Sequence, residues 1–84
     1  MISVRVPITT NPQSLFILGA FTEPNCIEAL IQSPSTNTNI INFGGKGHEV
    51  GELLNGGAAG LTITNLKNVF VKGTPTDEII ILVF

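Results

Sequence analysis

One cysteine, one histidine, no tryptophan and no tyrosine occur among the 84 residues, and only 12% of the chain is charged. Each shortage closes a route. A single thiol, Cys26, excludes an intrachain disulfide framework and any cysteine cage for a metal within one chain. The lone His48 leaves little material for a zinc centre, so no metal or cofactor is expected. Four cations, Arg5, Lys46, Lys67 and Lys72, stand far apart and the net charge is −2. Without a basic stripe or the usual base-stacking rings, nucleic acid is not an expected partner. Polar or turn residues interrupt every apolar run well short of the roughly 18 residues a membrane helix needs, so no membrane partner is expected either. The opening Met1–Pro7 sets one Arg among alternating apolar residues, unlike a secretory leader, which predicts a soluble protein made in the cytoplasm.

What is present is apolar surface in a short chain. A domain of this size buries only about 60–65% of the surface its unfolded chain exposes, so its core is marginal. With disulfides and metals set aside, self-association is the remaining common remedy. The run Ile79-Ile80-Ile81-Leu82-Val83-Phe84 sharpens the point. It is short and rich in β-branched residues, and it reads as a strand buried on both faces, covered by its own sheet or by a partner. Ile79, Ile81 and Val83 are therefore candidate contacts with another subunit.

The rest of the chain reads as short strands divided by turn residues. Ile2, Val4 and Val6 alternate with Ser3 and Arg5 before Pro7, the pattern of a half-buried strand. Between Pro12 and Phe21 a short helix opening at Asn11-Pro12 competes with a strand or irregular loop, and the β-rich flanks favour the latter. Ser33-Pro34-Ser35-Thr36-Asn37 is a turn cluster. A strand over Thr38–Phe43 would turn Ile41 and Phe43 inward, and Glu49–Leu54 would pair weakly. Asn55-Gly56-Gly57 signals a tight turn. Strands are also expected over Leu61–Thr64, Val69–Lys72 and Glu78–Phe84. Turns at intervals of about 8–12 residues with no helical stripe predict a single all-β domain, a small antiparallel sandwich or jelly-roll-like barrel, with residues 1–21 forming an arm or the first strands.

No constellation of residues calls for catalysis. In Phe43-Gly44-Gly45-Lys46-Gly47-His48-Glu49 the lysine is followed by glycine where a phosphate loop needs Ser or Thr, and Ile40 occupies the place of that loop's first glycine. A dinucleotide fingerprint fails as well, because Val50 stands where its third glycine belongs. His48-Glu49 opens like a zinc-protease helix, yet Glu52 replaces the second histidine and glycines surround it. The stretch reads as a solvated glycine loop, with Lys46, His48 and Glu49 available as polar contacts to a neighbouring protein. Cys26, with no base nearby in sequence, reads as an inert thiol. Thr62 and Thr64 read as an ordinary outer strand face. The protein is not expected to be an enzyme.

Taken in order, Ile27–Asn37, Ile40–Gly44, Leu53–Gly57, Leu61–Gly73 and the apolar closing strand form a succession of Thr/Asn-rich strands and glycine turns with few charges. Over residues 26–84 this succession resembles small virion proteins of tailed bacteriophages, of the capsid decoration or cement type. That resemblance implies a structural β-sandwich that binds the major capsid protein lattice on the outside of the head. It also implies a homotrimer, made in the host cytoplasm and carried on the virion. Tail or head-fibre modules that bind a host glycan or another virion protein share the same pattern.

Overall fold

The computed structural model describes residues 1–63 and 65–84, so the outer position expected for Thr64 lies outside the described residues. Among the described residues, eight strands form two antiparallel four-stranded sheets that face each other as a sandwich, not a closed barrel. The strands are β1 (Ile2–Pro7), β2 (Gln13–Ser14), β3 (Ala29–Gln32), β4 (Ile41–Gly45), β5 (His48–Leu53), β6 (Ala58–Leu61), β7 (Phe70–Lys72) and β8 (Glu78–Val83). The first sheet runs β1-β8-β3-β6 and the second β2-β7-β4-β5. Residues 1–21 thus supply a strand to each sheet.

Alternation decides what goes inside. In the first sheet Val4 and Val6 of β1 face Ile81 and Ile79 of β8, while Ala29 and Ile31 of β3 face Val83 and Ile81. From the second sheet come Ile41, Leu53 and Val71, all buried, with Phe43 packed against them. Ile41 and Phe43 point inward as their alternation predicts. Ile31, Ile79 and Ile81 are completely buried, and each such side chain contributes about 1.5–3 kcal/mol by leaving water.

The closing strand departs from expectation. It is buried on one face only: Ile79, Ile81 and Val83 are inside, whereas Ile80 and Leu82 are half-buried on the outer side. β8 lies in the middle of its sheet, hydrogen-bonded to β1 on one side and β3 on the other, so its backbone has no open edge.

The segment between Pro12 and Phe21 contains a helical turn where a strand or loop was favoured. Helix α1 (Leu15–Leu18) is capped by Ser14, whose Oγ accepts from the Ile17 N–H at 3.2 Å. The cap sits three residues beyond the Asn-Pro pair that suggested one. Leu15 fills the core, and the Lys67 ammonium, on a short 3₁₀ turn (Leu66–Asn68), lies 4.9 Å from the Phe16 ring centroid. The strand expected over Leu61–Thr64 is displaced: β6 runs over Ala58–Leu61, because Ala58, Ala59 and Gly60 pair with β3 although none has strong strand propensity, and Thr62 lies exposed beyond the end of the strand, not on a strand face.

A buried polar latch joins the loop after β3 to the start of β8. The Asn37 amide donates to Ser33 Oγ at 2.9 Å and to the Glu78 carbonyl at 2.7 Å, and its oxygen accepts from the Glu78 N–H at 2.9 Å. The Asp77 carboxylate accepts from the Thr38 N–H at 3.0 Å, the Thr38 hydroxyl at 3.3 Å and the Asn39 N–H at 2.9 Å. Burial of these groups is tolerable because each has its partners.

Candidate interaction surface

The six residues proposed from sequence as contacts separate into three groups. Ile79, Ile81 and Val83 are consumed by the core of their own chain, at 0%, 0% and 8% exposure, and are not free to meet another subunit. The alternation along β8 leaves Ile80 and Leu82 on its outward side. Lys46 and His48 are exposed at the tip of the β4–β5 hairpin, where Gly45 pairs with His48 around a two-residue turn. A side chain at Gly44 would collide with the His48 carbonyl oxygen, so the bulge that shapes this tip requires glycine.

Glu49 is neither exposed nor part of a loop. It lies on β5 and points inward, only 8% exposed, and its Oε2 has no hydrogen-bond partner. Its neighbour Val50 points outward and is 84% exposed. β5 thus inverts the usual polarity at this step, with the charge in and the apolar residue out. Since β5 is an edge strand, the inward carboxylate is one of the devices by which a sheet margin discourages pairing with another chain.

Outside the first sheet a different surface appears. β8 presents Ile80 and Leu82 at its centre. In register with Leu82 stand Ser3 on β1 and Leu30 on β3; in register with Ile80 stand Arg5 and Gln32. Beyond Leu30 and Gln32 the edge strand β6 contributes only Gly60 and Ala58. Beyond β8, the Phe84 N–H donates to the Glu28 carbonyl at 3.0 Å, which brings exposed Glu28 alongside. The centre is apolar and its corners are polar, the distribution found where proteins meet. Arg5 Nε also contacts Glu78 Oε1 at 2.9 Å, and its guanidinium donates to the Thr36 hydroxyl at 3.4 Å.

Other features offer less to a ligand. A cleft of about 210 Å³ between Met1, Phe21, Glu23 and Phe84 falls below the roughly 300–1,000 Å³ of typical small-molecule sites. A larger, open depression beside Asn39, Asn42 and Lys72 is shallow and polar. Among the described residues no three His, Cys, Asp or Glu side chains gather closely enough to hold a metal ion, and no helix is long and apolar enough to cross a membrane. The Cys26 thiol is half-buried, donates to the Ile63 carbonyl at 3.5 Å and is pushed up in pKa by desolvation, which favours the unreactive neutral form.

Comparison of the chain with family models, with curated proteins and with solved structures finds no match. The outer face of the first sheet, with Ile80, Leu82 and Leu30, is the feature that reading the sequence overlooked. Its signal was the polar alternation of β1, where Ser3 and Arg5 mark the outside; pairing them with β8 identifies the even-numbered residues of the closing run as their neighbours.

Proposed function

We propose that this protein is a non-catalytic structural component of a tailed-phage virion, of the capsid decoration type, which works by adhesion through two surfaces. The observation that carries the reading is the apolar centre and polar margin on the outside of the β1-β8-β3-β6 sheet, formed by Ile80, Leu82 and Leu30 between Arg5, Gln32 and Glu28. Such a face is suited to flat protein–protein contact and not to holding a small substrate. In this reading it joins copies of the protein. The exposed hairpin tip with Lys46 and His48 reaches the major capsid protein. The virion setting comes from the sequence resemblance over residues 26–84. A decoration protein needs a rigid body and several modest contacts per oligomer, because linked contacts reinforce one another through effective concentration.

The test is co-expression with the major capsid protein of the same genome, followed by sedimentation of the assembled heads. Saturable co-sedimentation and greater resistance of the heads to heat are expected. Heads that sediment without the protein would refute the assignment.

A further inference from the structure

We infer that the outer face of the β1-β8-β3-β6 sheet is a twofold self-interface, in which Leu82 meets Leu82 of a second copy and Arg5 meets that copy's Glu28. The inference rests on the adhesive reading above and specifies which partner the face takes and in what orientation.

The geometry follows from register. Arg5 lies beside Ile80 on β1, one outward position along from the row of Leu82. Glu28 lies beside Phe84 at the start of β3, one outward position along in the opposite sense. Leu82 is therefore the midpoint of the line from Arg5 to Glu28, with a cation at one end and a carboxylate at the other. Place a second copy face to face, with a twofold axis in the interface plane that passes through Leu82 and is perpendicular to that line. Each Arg5 then falls on the other copy's Glu28, and two equivalent ion pairs form. With about 3.4 Å per residue along a strand and about 4.8 Å between strands, the same operation sets Ile80 against Leu30 of the second copy. It crosses the strands of the two copies at roughly 70°, within the orthogonal class of sheet packing. On β6, Gly60 and Ala58 leave room at the margin; an added Cβ at Gly60 would meet open space.

Three observations favour a second copy over another occupant. The face is self-complementary in placement: Arg5 and Glu28 stand equidistant from an apolar midpoint, while Glu78, the second carboxylate of the face, lies beside Arg5 on the outward side of β8 and is its partner within the chain. Arg5 is available for exchange, because its present partner Glu78 is an exposed one, with the two side chains 49% and 42% accessible, and such pairs hold a lone chain weakly. The area also fits a modest dimer: two strands of six residues and two of four present on the order of 300 Å² in projection, about 40% of what each partner gives a standard-size interface. The contact is therefore reversible in solution and becomes firm when copies are held at high local concentration. A threefold ring would instead need two different patches on each subunit, whereas this single patch matches itself.

Sedimentation velocity from about 10 μM to about 1 mM tests the interface, since an association of this size falls within the micromolar-to-millimolar range of affinities. Reversible dimerisation is expected. Arg5→Glu and Glu28→Arg should each weaken it about tenfold, and the double variant should return to within about threefold of the original, because exchanging the charges restores both pairs. Thermal melts of the same variants report whether each is folded, and Leu82→Lys, at a half-buried outward position, should give a folded monomer. A monomer across the whole range, a closed trimer, a dimer indifferent to both reversals, or failure of the double variant to recover would overturn the inference. Head binding by a protein that never dimerises would leave the virion assignment standing and remove this interface; a charge-dependent dimer that ignores heads would do the reverse.

Discussion

The two sheets share one core and turn different sides to the outside. On the second sheet the outward residues include Asn42, Lys72, Glu52 and His48, and the exposed Val50 stands among them, next in sequence to the inward Glu49. On the first sheet the corresponding positions are Ile80, Leu82 and Leu30, with Gly60 and Ala58 beside them and ionic groups only at the corners. Both sheets bury apolar residues on their inner sides, so the contrast lies in their outer positions. The second sheet turns mostly charge and amide groups outward, with Val50 the exception; the first turns out half-buried isoleucine and leucine, the contrast from which the proposed self-association starts.

Substitutions on both sides of this contrast make it measurable. The largest effect is expected from Ile81→Asp, which puts an unpaired charge at a completely buried position on β8 and should cost more than about 4 kcal/mol, leaving the chain unfolded by circular dichroism. Retention of a cooperative melt in that variant would show that the inner and outer faces of β8 have been assigned the wrong way round. Next comes Asp77→Ala. It strands the donors of Thr38 and Asn39 and should lower stability by about 2–3 kcal/mol in denaturant titration. It also releases the loop that holds Thr36 against Arg5 at the margin of the apolar face. Ile80→Gln, one residue from the core position, should cost only about 1 kcal/mol of stability while weakening self-association; a melt as damaged as that of Ile81→Asp would erase the distinction between the faces. The smallest effect on stability is expected from Glu49→Val, which removes a buried unpartnered oxygen and should raise stability by about 1 kcal/mol. The same change strips the β5 margin of its inward charge. New association that persists in the Leu82→Lys background would then show that this charge keeps the second sheet solitary.

The all-β class and most strand positions were legible because turn residues and period-two alternation coincide, as in Ile2–Pro7 and around Asn55-Gly56-Gly57, where Gly56 takes a φ of 79°. The faces of the closing strand were not. A run in which every residue is apolar has no internal alternation, so only its partners reveal which half is inside, and those partners are some seventy residues earlier in sequence. Helix α1 was hidden because four apolar residues are too few to show a helical period, and its Ser14 cap is a common residue of turns. Strand β6 was hidden by its small residues, which join the sheet through pairing with β3 and not through propensity. Glu49 was misplaced for a third reason: a carboxylate among glycines suggests a solvated loop, and only the alternation from Leu53 backward through Gly51 turns it inward.

The order β1-β8-β3-β6 also bears on how the sheet closes. β1 joins it through β8 alone, in pairings that span 71 to 81 positions, and β3 meets β8 across 48 to 54. Contacts so distant in sequence demand large loop closures before they return any stability, which places this sheet among the slowly folding topologies.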